Sequence, residues 1–240
     1  MFTFANLLII LTVIILDGIL SIDNAAALAA IADGLPPEDK TPMSPFWRKI
    51  FGQTQRVAVL KTGILGAYVG RGIMLLLAGF IIYYGWLKLI AAAYLLYLCG
   101  VHFFGWKPLF DFNFKSLSTF WKTVIMIEIA DLAFSLDNVA AVVALTPNIL
   151  LVIIGVFISI VIMRFAAQIF MKLIDFEPTL EHAAYVLIAA IAVELILKTF
   201  GLAIGEITQF SISVLIMAGF IVVGQWRKGV KRSVETMDRG

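Results

Sequence analysis

Seven stretches of mainly apolar residues, each about as long as the twenty residues that a membrane crossing needs, fill most of this 240-residue chain. Hydrophobic residues make up 62% of the chain and charged residues 14%, whereas soluble domains average about 45–50% apolar and about 25% charged. In lipid, a helix satisfies its own backbone hydrogen bonds. The sequence therefore predicts an all-α polytopic membrane protein, with spans near 4–31, 57–84, 87–105, 121–145, 149–171, 181–200 and 211–227.

Two of these spans carry the same polar pattern, Asp-x-x-x-Ser-x-Asp-Asn. The pattern runs from Asp17 to Asn24 in the first span and from Asp131 to Asn138 in the fourth, at a constant offset of 114 residues (131 − 17 and 138 − 24). A carboxylate at the centre of a membrane helix costs roughly 2.5–3.5 kcal/mol on insertion scales, so two in one helix indicate a function. Their repetition predicts a duplicated unit, and transporters often place ion sites between such units.

Basic residues predict the orientation of the chain. If the N-terminus is outside and the C-terminus is cytoplasmic, nearly all loop lysines and arginines lie on the cytoplasmic side, as the positive-inside rule requires. The two motif-bearing spans then run in opposite directions, which predicts an inverted repeat of three plus three spans and one extra helix. The predicted parts are repeat one (1–105, with a cytoplasmic loop at 33–56 that ends in a short interfacial helix near Phe46–Phe51), repeat two (119–200), the extra helix (211–227) and a basic, frayed cytoplasmic tail (228–240).

The polar residues of the motif-bearing spans form stripes at helical spacing. Glu128, Asp131, Ser135 and Asn138 follow one another at i, i+3, i+7 and i+10, so they share one helical face. In the first span, Asp17, Ser21 and Asn24 share a face in the same way, whereas Asp23 and Asp137 lie about 100° away from these stripes. Because the two spans are antiparallel, we expect Asp17 and Asp131 near the midplane, Asp23 toward the inside and Asp137 toward the outside. The carboxylates are then staggered along a path across the bilayer.

Five acidic residues in two spans need neutralisation. If all were ionised and unpaired, they would cost on the order of 12–17 kcal/mol. Two membrane arginines, Arg71 and Arg164, cannot pair five carboxylates, so protons or a bound cation are required. Carboxylate, carboxamide and hydroxyl oxygens suit hard divalent ions and leave manganese, magnesium and calcium open. The predicted metal-binding residues are Asp17, Asp23, Asn24, Glu128, Asp131, Asp137 and Asn138.

Other polar or small residues in the spans allow simpler interpretations. The two arginines are either counter-ions of the acids or snorkelling residues. Glu194 and Lys198, spaced i, i+4, are expected to pair with each other. The second span carries a series of small residues that predicts close helix packing: Gly63, Gly66, Gly70 and Gly72.

At these residues the chain resembles the TerC family of integral membrane proteins. The likeness rests on the motif from Asp17 with its following alanine-rich run, on the stretch from Glu128 to Asn138, and on the segment from Gly63 to Arg71. The family is similar to the LysE-type transporters in having duplicated three-helix units. The resemblance implies manganese export, in which the five membrane acids are implicated. The two copies differ at one place, where the first has Ile14 and the second has Glu128.

These observations lead to one expected function and one alternative. The first is an exporter of divalent metal ions, Mn²⁺ above all, in a bacterial plasma membrane, with proton exchange left open. The alternative is a membrane factor that assists assembly or metallation of exported or membrane proteins without ion flux. We expect no enzyme and no prosthetic group, and the chain lacks the Gly-x-Gly-Asp of intramembrane aspartyl proteases. It also has no P-loop of a nucleotide-driven pump and no nucleic-acid motif, so we expect no nucleic-acid partner. The expected partners are the metal substrate and the lipid bilayer.

Overall fold

The computed structural model describes residues 3–19, 22–36, 40–106, 118–202 and 204–237. These residues form helices and no strand, apart from one isolated bridge between Lys40 and Thr54, so the all-α prediction is confirmed. The helices are α1 (Phe4–Val13), a π-helix (Ile14–Ile19), α2 (Ile22–Asp33), α3 (Pro45–Phe51), α4 (Gln55–Leu76), α5 (Ala78–Tyr83), α6 (Trp86–Phe104), α7 (Thr119–Leu145), α8 (Ile149–Phe176), α9 (Thr179–Thr199) and α10 (Glu206–Met237).

The helices confirm a polytopic membrane protein, although fewer than seven of the described segments have the length and composition of a crossing. Within the described residues, five helices are long and apolar enough to cross a membrane, and a sixth span results if α1 and α2 count as one bent helix. The remaining candidate, α7, is long enough, but every eighteen-residue stretch of it contains at least three charged residues. The predicted total of seven therefore stays a prediction, and it depends on α7, the helix that carries Glu128, Asp131 and Asp137.

The first predicted span is not one continuous helix. A π-helix follows α1, and the axes of the segments on either side of the break, Phe4–Gly18 and Asp23–Asp33, differ in direction by 47°. Single π-turns inside α-helices are frequent at functional sites. Asp17 lies in the π-helix and Asp23 in the first turn of α2, so the two acids of the first motif belong to different helical segments.

Helix packing follows the division of the chain into two halves. If α2, α4 and α6 are matched in order with α7, α8 and α9, the packed pair α2–α8 corresponds to the pair α7–α4. In the same way, the pair α2–α9 corresponds to the pair α7–α6. All four pairs are in contact. The pairs α2–α7, α4–α8 and α6–α9, in which each helix packs against its own match, are also in contact. A duplicated unit would produce this pattern, while the bounds of the two repeats and the direction of insertion remain predictions.

The alanine-rich run of α2 allows it to lie at the centre of the bundle. Its residues from Ala25 to Ala32 are at most 3% exposed. Small side chains let helix backbones approach closely, which supplies packing energy in a membrane where lipid is as apolar as leucine. α2 contacts α4, α7, α8 and α9. The central position of this helix brings the motif acids at its start into the interior of the protein.

The extra helix, α10, is longer than predicted. The tail from residue 228 is predicted to be frayed, but the helix continues to Met237, and no proline interrupts this segment. Lys228 Nζ lies 2.6 Å from Glu177 Oε2, and this hydrogen bond lowers the pKa of Glu177 below its ordinary value. The predicted interfacial helix near 46–51 is present as α3.

A buried network of acids and arginines

The centre of the bundle contains an ion network that joins both halves of the chain. Arg71 of α4 contacts Asp17 Oδ2 through Nη1 at 2.5 Å and Asp131 Oδ1 through Nη2 at 2.9 Å. Arg164 of α8 contacts Glu128 Oε1 and Asp131 Oδ2 through Nη2, at 2.9 and 3.0 Å. Asp131 is the junction of the network, because each of its carboxylate oxygens accepts from a different arginine.

The network is buried except at Glu128, whose side chain is 17% exposed. Asp131, Arg71 and Arg164 are at most 1% exposed, and Asp17 is 3% exposed. This burial decides between the two interpretations of the arginines: they are counter-ions of the acids and do not snorkel to the membrane surface. If all groups are ionised, three carboxylates and two guanidinium groups leave one formal negative charge at the centre of the protein.

Two uncharged side chains complete the surroundings of Asp17. The Ser159 hydroxyl of α8 donates to Asp17 Oδ2, and Asn138 Nδ2 of α7 donates to Asp17 Oδ1 at 3.4 Å. Ser159 was not among the predicted site residues. The one feature of the sequence that could have indicated it is its position in a strongly apolar span, five residues before Arg164. Gly18 makes this contact possible, since a Cβ at Gly18 would lie 3.2 Å from Ser159 Cβ.

Several buried donors of the two arginines have no acceptor among the described residues. These are Nε of Arg71 together with Nε and Nη1 of Arg164. Arginine presents five N–H donors and buried donors are normally bonded. A network that serves only to hold helices together would be expected to satisfy them. Both arginines therefore have donors in the site beyond those that bind the three carboxylates.

Glycines of α4 make room for the carboxylate of Glu128. A Cβ at Gly66 would lie 2.6 Å from Glu128 Oε2 and 2.8 Å from its Cδ, and a Cβ at Gly63 would meet Glu128 Oε1 and lie 3.0 Å from Arg164 Nη1. A Cβ at Gly70 would meet Leu132, which like Glu128 belongs to α7. The predicted close packing is therefore confirmed at these positions, and it also allows an acidic side chain to fit between α4 and α7.

Gly66→Ala should push the Glu128 carboxylate away from Arg164. Overpacking of this kind costs about 1–3 kcal/mol, and we expect that loss in thermal unfolding of the detergent-solubilised protein. Gly72→Ala is the matched control, because a Cβ there meets no atom within 4 Å on the same helix. Both variants gain the same helix propensity, so the difference between them reports the clash. Equal stability of the two variants would contradict this account of Glu128.

The predicted site residues do not all converge on the network. It contains Asp17, Glu128, Asp131 and Asn138, whereas Asp23 lies against α10 and its Oδ2 accepts from Ser213 Oγ at 3.2 Å. Asn24 is buried, and its backbone N–H donates to Asp23 Oδ1. The side chain of Asp137 and all of Ser21 lie outside the described residues. The described part of the chain contains no group of three or more His, Cys, Asp or Glu side chains arranged to hold a metal ion.

The expected polar face is found in part in α7, and in the first span it stays a prediction because Ser21 lies outside the described residues. In α7, Glu128 and Asp131 share Arg164, but the Ser135 hydroxyl donates to the Asp131 carbonyl at 2.7 Å and is bonded to its own helix. Asp17 and Asp23 have different neighbours, as their separation of six residues along a helix predicts.

Comparison with known proteins agrees with the resemblance deduced from the motifs, which is thereby confirmed. The model of the integral membrane protein TerC family matches residues 2–232. The uncharacterized membrane protein YceF of Bacillus subtilis (strain 168) is 32% identical over 220 residues, which are 88% of this chain and 78% of YceF. The uncharacterized membrane protein YkoY of the same organism is 33% identical over 210 residues, 80% of this chain and 60% of YkoY.

A more distant relative is the UPF0053 protein YegH of Escherichia coli (strain K12), which is 25% identical over 219 residues. These residues are 81% of this chain but 37% of YegH. The chain thus spans less than two thirds of YkoY and of YegH. No solved structure matches it.

Proposed function

Because the chain belongs to the integral membrane protein TerC family, we propose that it exports divalent metal ions, Mn²⁺ above all, from the cytoplasm of a bacterium. The protein is then a transporter of the plasma membrane with its N-terminus outside, and it is not an enzyme. The observation that carries the proposal is the buried network of three carboxylates and two arginines, which has one more acidic than basic group and joins both halves of the chain.

The arginines give this network a resting state without metal. Three ionised carboxylates in a buried site are strongly unfavourable alone, and Arg71 and Arg164 offset two of the three charges. A cation that enters the site competes with the guanidinium groups for the same oxygens of Asp17, Asp131 and Glu128. Guanidinium groups with spare donors can withdraw from these oxygens and return when the ion leaves.

The ligand chemistry supports a hard dication. The site offers only oxygen ligands, from three carboxylates, the Asn138 amide and the Ser159 hydroxyl. Mn²⁺, Mg²⁺ and Ca²⁺ accept such ligands, and softer ions do not prefer them. Within that class, manganese is the ion that the family resemblance implies. Because the network links α4 and α7 of opposite halves, movement of one half against the other would break and remake its ion pairs. Such rocking is how inverted-repeat transporters alternate access.

Metal flux in proteoliposomes tests this function and its selectivity. We expect the purified protein to move Mn²⁺ down an imposed gradient faster than Mg²⁺ or Ca²⁺, and an internal pH probe reports whether protons move in exchange. Mn²⁺ binding without flux under any gradient would instead favour the alternative of a metallation or assembly factor. Absence of both binding and flux would contradict both functions.

A further inference from the structure

A second buried carboxylate lies apart from the central network and contacts the extra helix. Asp23, in the first turn of α2, is 3% exposed. Its Oδ2 accepts from Ser213 Oγ at 3.2 Å and from Gln209 Nε2 at 3.5 Å, and both donors belong to α10. Thus α10, which stands outside the two repeated halves, provides polar contacts to a residue of the first motif.

Among the described residues, Asp23 differs from Asp17 and Asp131 in having no counter-ion, since no lysine, arginine or histidine side chain there forms an ion pair with it. Hydrogen bonds from a hydroxyl and an amide offset only part of the cost of a buried charge. Binding of a cation from outside the protein would therefore stabilise the ionised form of Asp23.

A small cavity lies beside this carboxylate. Its volume is about 40 Å³, and its polar lining consists of Asp23, Glu194, Gln209 and Ser213, with isoleucine and alanine side chains around them. A single water needs about 10–15 Å³ of such volume. The cavity accordingly has room for a bare or partly hydrated metal ion and excludes organic substrates.

Glu194 brings a second carboxylate to the cavity together with a movable counter-ion. Glu194 is 5% exposed, and its Oε1 lies 2.7 Å from Lys198 Nζ one turn further along α9, as the i, i+4 spacing predicted. Lysine has a long flexible stem and three rotatable donors. Lys198 can therefore leave Glu194 when a cation arrives, much as the arginines can in the central network.

We propose that α10 completes a second site for a hard divalent cation in this cavity. Asp23 and Glu194 supply the carboxylate ligands, and Ser213 and Gln209 supply neutral oxygens, the amide of Gln209 turning its oxygen inward. The three contributing helices are α2, α9 and α10. The inference rests on the proposed transport function, and it gives the ion a second site apart from the central network.

Equilibrium binding of Mn²⁺ to the purified full-length protein in detergent tests this site. Free Mn²⁺ is followed by its electron paramagnetic resonance signal, and the wild type should bind two ions. Glu194→Gln should bind one, and Ser213→Ala should weaken the second site about 10–100-fold, which is the usual effect of changing groups around a metal. Ser211→Ala, an exposed serine of the same helix bonded to the Ile207 carbonyl, should bind two.

The outcomes separate this site from the central one. Unchanged binding in both Glu194→Gln and Ser213→Ala, with unfolding temperatures equal to that of the wild type, would overturn the second site and leave the central network untouched. Retention of both ions by Asp131→Asn would instead speak against the central network as a metal site. The proposal requires that Glu194→Gln and Asp131→Asn each lose one bound Mn²⁺, and that the two variants lose different ions.

Discussion

Asp131→Asn should abolish Mn²⁺ export while the protein remains folded in the membrane. The substitution keeps the size of the side chain and removes the charge at the junction of the network. Arg71 then keeps Asp17 and Arg164 keeps Glu128, so two neutral pairs remain and the excess negative charge disappears. A cation has no net attraction to such a site. Mutation of a residue that only contacts a metal ligand lowers metal affinity or activity about 10–100-fold. We therefore expect Mn²⁺ export to fall by at least about 100-fold.

The loss is measured as metal retained by cells that express the variant after a manganese load, with the amount of protein in the membrane determined alongside. Asp175→Asn is the control, because this aspartate has a side chain 58% exposed and forms a surface ion pair with Arg56. Surface pairs of this kind contribute about 0–1 kcal/mol. Export by Asp131→Asn at the level of the control would contradict the role of the network.

Arg71→Met should have the largest effect on stability of any single change in the network. Methionine retains the apolar stem and part of the length but leaves three buried carboxylates with one arginine. Removal of one partner of a buried ion pair typically costs about 3–5 kcal/mol. Thermal and denaturant unfolding in detergent should show that loss. Arg227→Met, an exposed arginine of α10, should unfold like the wild type.

A compensating substitution distinguishes charge from packing as the cause of the Arg71→Met loss. The double variant Arg71→Met with Asp17→Asn removes one charge of each sign, so the remaining pair of carboxylates shares Arg164 less unfavourably. Contacting residues of this kind couple by about 0.5–3 kcal/mol, and the double variant should recover that much relative to the sum of the singles. Strictly additive losses would indicate that Arg71 acts through packing alone.

The sequence was sufficient to predict the features that depend on composition and local spacing. Runs of apolar residues predicted the helices. The doubled motif pointed to Asp17 and Asp131, and the i, i+3 spacing added Glu128 to the same centre. The i, i+4 spacing of Glu194 and Lys198 predicted their ion pair, which is confirmed. These features follow from periodicity along a single helix, which is readable without knowledge of the neighbours.

Features that depend on interruption of the helix or on distant parts of the chain were not predictable. The π-helix at Ile14–Ile19 interrupts the first span, and only tertiary packing brings α10 against Asp23. Ser159 and Ser213 are single hydroxyls in apolar spans, and only tertiary packing brings them to carboxylates 142 and 190 residues away. The sequence left open whether Arg71 and Arg164 pair with the acids. In the structure both side chains turn inward and offset two of the three carboxylate charges of the network.

The most direct test of the central claim is unidirectional Mn²⁺ flux by wild type and Asp131→Asn, reconstituted side by side at equal density in the same lipid. The account predicts flux that saturates with Mn²⁺ in the wild type and background leakage in Asp131→Asn, with equal unfolding temperatures to show that both are folded. Equal saturable flux in the two proteins would contradict the claim that the buried network of acids and arginines carries the ion.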